Sequence, residues 1–122
     1  MLNLNSVMLG SDNPKALAEF YEKVLEKKPD MTEGEWAGFS VGSAFLSMGP
    51  HDKVKGKSKN PERIMFNFET KDVEGEFKRI KALGATVIAE PYSMQGEDKA
   101  FSIATLADPD GNYFQLMLPW EG

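Results

Sequence analysis

Gly84-Ala85-Thr86-Val87-Ile88-Ala89-Glu90-Pro91, followed by Asp108-Pro109-Asp110-Gly111-Asn112 and Tyr113-Phe114-Gln115-Leu116, is the stretch whose reading decides the fold. Gly84 closes a run from about Asp72 to Leu83 in which Val73, Phe77, Ile80 and Leu83 recur at helical spacing. That places it as the left-handed residue ending a helix. Strands then follow at about Ala85–Ala89, Phe101–Leu106 and Tyr113–Leu118. Between the last two, Pro109 sets φ for a type I turn and Gly111 tolerates positive φ, so a hairpin accounts for every residue. A calcium loop needs oxygen ligands at alternate positions and a closing Glu, and this segment supplies only the opening pair.

Working back towards the N-terminus, the same grammar recurs. Asp12-Asn13-Pro14 offers a capping side chain and then Pro, whose missing N–H costs nothing in a first turn. Leu17, Phe20, Tyr21, Val24 and Leu25 form one apolar stripe. Lys27 and Lys28 suit the negative end of the helix dipole, and Pro29 stops it. Leu4–Leu9 reads as a strand before this helix, with a short strand around Pro29–Thr32 after it. Trp36–Val41 and Ala44–Met48 follow, turned at Gly42-Ser43, and Ile64–Phe68 precedes the second helix. Gly49–Pro61 and Ser93–Lys99 read as loops, the latter a candidate flap.

Strand, helix, strands therefore occurs twice. Ser6-Val7-Met8 matches Arg63-Ile64-Met65, and Leu46-Ser47-Met48 matches Phe114-Gln115-Leu116. Leu17, Tyr21 and Val24 match Val73, Phe77 and Ile80. The expected fold is α+β: two βαβββ repeats forming a cupped mixed sheet with helices on the outer face. Residues 1–122 make one domain, with repeat one at about 1–49, a connector at 50–61 and repeat two at about 62–122. Neither repeat can bury its sheet alone, so the two should close on each other, within or between chains.

Composition narrows the chemistry. The 122 residues include no Cys and one His, which removes disulfides, thiolate metal sites and cysteine nucleophiles. A net charge of −5 argues against nucleic acid and anionic membranes as partners. The lysines at 53, 55, 57 and 59 lack interleaved aromatics and read as a solvated connector. No apolar run approaches the roughly 20 residues of a membrane helix, and the expected address is cytoplasmic.

At this point the residues resemble the vicinal oxygen chelate superfamily, which includes glyoxalase I, extradiol dioxygenases and bleomycin-resistance proteins. Phe20-Tyr21-Glu22-Lys23-Val24-Leu25 is similar to that family's "FYxxvLG" helix, with Glu26 where the family usually has Gly. The stretch from Gly84 to Leu116 is similar to its "GAxVIxEP…DPDGNxxxL" pattern. The resemblance implies the glyoxalase/bleomycin-resistance-like fold and, as in many relatives, a homodimer. In the metal-dependent relatives, four residues on facing strands, usually His and Glu, hold a divalent cation. Carried over by motif, those positions fall on Ser6, Ser47, Arg63 and Gln115. Two hydroxyls, a guanidinium and an amide make a poor cage, so no metal and no other cofactor is expected. His51 falls in the connector.

Alternation sets Ser6 beside Met8, Ser47 beside Phe45, Arg63 beside Met65 and Asn67, and Gln115 beside Tyr113 and Met117. The opposite faces carry Val7 and Leu9; Ile64, Phe66 and Phe68; and Phe114, Leu116 and Leu118. They read as core under the helices. The mixed face (Ser6, Met8, Phe45, Ser47, Arg63, Met65, Asn67, Tyr113, Gln115) reads as a ligand cavity between the repeats. Trp36 and Trp120 are candidate pocket walls or dimer contacts. Arg63 is a candidate for neutralising a bound anion or for pairing with Glu62 or Glu69. The expected function is metal-free binding of a small, partly aromatic molecule. Two alternatives stay open. One is a lyase, isomerase or dioxygenase with an atypical site, drawing an acid and base from Glu69, Glu90, Tyr92 or Tyr113. The other is a dimeric accessory or regulatory domain.

Overall fold

In a computed structural model, residues 1–93 and 102–119 are described, and they form two helices and eight strands. The order is β1 (Ser6–Ser11), α1 (Pro14–Leu25), β2 (Met31–Glu33), β3 (Trp36–Val41), β4 (Ala44–Pro50), β5 (Phe66–Glu69), α2 (Val73–Ala82), β6 (Thr86–Ser93), β7 (Ser102–Ala107) and β8 (Tyr113–Met117). This is the α+β pattern of two βαβββ repeats. The chain divides into two compact units, Met1–Gly56 and Lys57–Gly122. Trp120, and the flap expected at Ser93–Lys99 beyond the Ser93 backbone, lie outside the described residues.

In the first unit the Ser11 hydroxyl, fully buried, accepts the Asn13 N–H at 3.0 Å, turning the chain out of β1. Asn13 then caps α1, its Oδ1 accepting from the Ala16 N–H at 3.4 Å, and Pro14 occupies the first turn. Leu17, Tyr21 and Val24 point into a core completed by Ala37, Phe39, Leu46 and Met48. Burying each of the large side chains contributes on the order of 1.5–3 kcal/mol, so this apolar stripe, and not helix propensity, holds α1 to its sheet. The sheet runs β1-β4-β3-β2, with β1 parallel to β4 and the other pairs antiparallel.

The end of α1 is tied down by charge. Glu26 takes the left-handed conformation at φ 55°, which frees the chain to turn. Lys27 Nζ donates to the Ser40 carbonyl at 2.9 Å and pairs with Asp30 at 2.7 Å. The Asp30 carboxylate also accepts the Ser40 N–H at 2.7 Å. The Lys27 hydrogen bond, and then that of Ser40, hold the Asp30 carboxyl below its usual range.

The second unit repeats the device. Thr70 accepts the Asp72 N–H at 3.1 Å, Asp72 caps α2 through the Gly75 N–H at 2.9 Å, and Val73, Phe77 and Ile80 are buried. Gly84, at φ 99°, ends the helical segment. The sheet runs β5-β8-β7-β6, with β5 parallel to β8. On its helix side Phe68 meets Phe114 edge-on at 5.8 Å, beside buried Leu106 and Leu116. The Asp108–Asn112 segment is a hairpin turn: the Asp108 N–H donates to the Asn112 carbonyl at 2.9 Å, and Gly111 sits at φ 80°. The buried Asp108 carboxylate accepts the N–H groups of Asp110 and Asn112 and the Asn112 side-chain amide. Its oxygens serve the turn.

One sequence expectation is corrected. β5 begins at Phe66, so Arg63, Ile64 and Met65 precede the strand, and all three are exposed. Likewise β1 begins at Ser6 and runs to Ser11, leaving Leu4 outside. Met8 lies opposite Ser47 and Asn67 opposite Gln115. The offset that relates Met8 to Asn67 also relates Ser11 to Thr70 and Asn13 to Asp72. Ser6-Val7-Met8 therefore corresponds to Met65-Phe66-Asn67, and the counterpart of Arg63 is Leu4. Strand side chains alternate with period two, so a slip of two residues keeps every apolar match on its own face. The turn and cap residues break that degeneracy.

Candidate functional site

Each sheet has one face under its helix and one face turned away from it; in the first unit that second face is largely accessible. On the open face of the first unit, register aligns Met8, Ser47, Gly38 and Met31 across all four strands. A second row runs Ser6, Phe45, Ser40. A third contains Gly10 and Gly49. Four of the residues expected at the site, Ser6, Met8, Phe45 and Ser47, are thus brought together on neighbouring strands. Ser47 and Phe45 are half-buried, while Ser6 and Met8 are exposed.

Glycine gives this face its shape. The Trp36 ring occupies the space a Cβ on Gly49 would need, and the Phe45 ring does the same over Gly38, with the Met31 methyl 3.3 Å from that position. A Cβ on Gly10 would come within 3.1 Å of Val54 Cγ2 and 3.2 Å of His51 Cβ. Three strand glycines therefore let two aromatic rings and the start of the connector lie close against the backbone. Gly in a strand interior costs order and packing, and close approach is the usual compensation. That signal was present at Gly10, Gly38 and Gly49, but sequence reasoning used only the side chains. It also left Trp36 unassigned; the structure puts it on the open face.

His51 lies at the rim of this face. Its Nδ1 accepts the Lys53 N–H at 3.1 Å and stands 3.4 Å from Asp52. In the neutral ring this leaves Nε2 as the protonated nitrogen.

On the face of the second sheet away from α2, register aligns Asn67, Gln115, Thr105 and Ala89 across its four strands, and on β7 this face is buried at Ile103, Thr105 and Ala107. Gln115 Nε2 donates to Thr105 Oγ1 at 3.0 Å. Tyr113 stands opposite Ala107, and Glu69, Met117, Ile103 and Tyr92 form the adjoining row. Asn67, Tyr113 and Gln115 are thus joined as expected on one face, while Arg63 and Met65 lie ahead of it. Thr105, only 5% exposed, was missed by sequence reasoning. Among the acid–base candidates, Glu69 is exposed, Tyr92 is 48% exposed, and Glu90 is drawn to Lys81 at 4.0 Å.

These donors do not suit a divalent cation. Of the four motif positions, Ser6 and Ser47 lie on the first sheet, Gln115 lies on the second and Arg63 precedes β5, and none of them is an imidazole or carboxylate that could supply negative charge. Among the described residues, no three His, Asp or Glu side chains gather at a metal-binding spacing. Among the described residues, no helix is long and apolar enough to cross a membrane.

Residues 6–117 match the family model described as the glyoxalase-like domain. The chain belongs to that family.

Solved structures agree on the fold of this glyoxalase-like domain. A glyoxalase-related enzyme from Fulvimarina pelagi superposes with a TM-score of 0.77 at 15% identity, over 98% of this chain and 89% of that one. A glyoxalase/bleomycin resistance protein/dioxygenase family enzyme from Burkholderia phytofirmans PsJN gives 0.76 at 19% identity, over 96% and 98%. A glyoxalase/bleomycin resistance protein from Albidiferax ferrireducens T118 gives 0.73 at 16% identity, over 94% and 98%. At these identities the likeness concerns fold alone. No curated protein matches the chain significantly.

Proposed function

We propose that this glyoxalase-like domain binds a small, partly aromatic molecule, without a metal, on the open face of its first sheet. The observation that supports this is the pair of rings, Trp36 over Gly49 and Phe45 over Gly38, in a face that also carries Met8, Met31 and Ser47. Flat apolar rings beside flexible thioethers and a few hydroxyls suit an aromatic guest: stacking supplies affinity and the hydroxyls orient it. Nothing in that set is arranged to move a proton or polarise a carbonyl, which favours binding over turnover.

A thermal-shift screen of mono- and bicyclic aromatic compounds tests the reading. A compound at 100 times its dissociation constant adds about 2.7 kcal/mol of apparent stability. The proposal expects such a compound to raise the midpoint of the native protein, and the increment to vanish in F45A. If every aromatic class leaves the midpoint unmoved, the reading fails.

We also propose a homodimer in the cytoplasm. Leu2 (103% exposed), Leu4 (89%) and Ile64 (76%) are the apolar side chains that support association. Light scattering should give twice the 13.6 kDa chain mass, and a chain-sized particle at micromolar concentration counts against it.

A further inference from the structure

We infer that the row Asn67, Gln115, Thr105 on the second sheet is a recognition edge for a neutral lactam or amide group, and that Thr105 is the positioning residue that orients it. The inference goes beyond the aromatic face of the first unit and stands on a different observation. Gln115 sits between its two neighbours in register, Asn67 on β5 and Thr105 on β7. One of its Nε2 protons is spent on Thr105 Oγ1 at 3.0 Å. The bond uses one amide proton and leaves the carbonyl oxygen as an acceptor and the second N–H as a donor; when the proton spent is the one anti to the oxygen, the two lie on one edge, which is the arrangement the inference requires. A lactam or pyrimidinone carries the complementary pair, one N–H and one C=O side by side, so the two meet through two hydrogen bonds. The row itself contains no ionisable group, and Thr105 is buried. A charged ligand edge would lose hydration there without gaining a counter-charge, whereas a neutral edge exchanges its bonds to water for equivalent ones. Asn67, exposed beside Gln115, offers a second carboxamide to substituents on the ligand.

The test is a titration of the Gln115 side-chain amide resonances in isotopically labelled full-length protein, assigned by their loss in Q115L. The probes are uracil, 2-pyridone and benzamide, each against its fully N-methylated counterpart, which has no N–H left. At least one N–H probe should shift the Gln115 resonances saturably, with its N-methylated form at least about tenfold weaker. T105V should weaken that probe by about tenfold, beyond any change in melting midpoint, and T105S, which keeps the hydroxyl, should restore it. A merely structural Thr105 would change stability and leave the N–H selectivity intact. Equal binding of the methylated forms, full affinity in T105V, or no shift of Gln115 by any of the three probes would overturn the inference. F45A leaves this titration unchanged and abolishes aromatic binding on the first sheet, so the two claims fail separately.

Discussion

The Trp36 ring lies where a side chain on Gly49 would project, and no other residue at position 49 permits it to stay there. Gly to Ala in a strand interior ordinarily gains stability, on the order of 0.5–1 kcal/mol. Here the sign should reverse. Gly49→Ala forces the indole off the face and should cost about 1–3 kcal/mol, as overpacking does. Urea unfolding checks the direction, and a change in Trp36 emission shows that the ring has moved.

Glu26 ends α1 in a conformation that costs an L residue with a side chain about 1 kcal/mol. Gly removes that strain, though it is more flexible when unfolded. Glu26→Gly should therefore stabilise by a net of at most about 0.5 kcal/mol, read as a slightly higher denaturation midpoint at unchanged slope.

Asp30 carries a pH dependence of known sign. Its carboxyl is held below the usual range by Lys27 and then by the Ser40 N–H. A depressed native pKa gives stability that is fully present above the unfolded value and lost as pH falls through the native one. The native protein should lose stability on acidification past the ordinary carboxylate range, and Asp30→Asn should flatten that part of the profile. A parallel profile in the variant contradicts the assignment.

Asp108 holds the β7–β8 hairpin by accepting three hydrogen bonds from a buried position. Asp108→Ala leaves those donors without their acceptor and should cost about 2–3 kcal/mol. Asp108→Asn keeps one acceptor and should cost less. Added calcium should leave the melting midpoint of the native protein where it is, since the turn already uses these oxygens.

Much of the fold was legible because the signals are local. Asn13-Pro14 and Gly84 bracket helices through backbone chemistry that needs no tertiary partner, and the Asp108–Asn112 turn encodes its own hairpin. The apolar stripes at Leu17, Tyr21, Val24 and at Val73, Phe77, Ile80 marked the buried faces correctly. What the sequence hid was register. Arg63 matches Ser6 in the repeat and shares a face with Met65 and Asn67 by alternation, yet Thr70 and Asp72 fix where β5 must end, and a strand of Phe66–Glu69 is too short to reach back to it. The site was half legible for a related reason. Phe45, Ser47 and Gln115 could be assigned to faces by alternation, but the work of Gly38 and Gly49 lies in what they omit. Thr105, the partner of Gln115, is a strand threonine like any other until the register is known.

Trp36 emission offers the most direct measurement. In a W120F protein it is the single tryptophan signal, and it can be titrated with an aromatic compound found by thermal shift, with and without a chelator. Metal-free binding on the first sheet predicts saturable, one-site quenching with the same midpoint in both conditions. Quenching that the chelator abolishes, or an emission that never saturates, would contradict it.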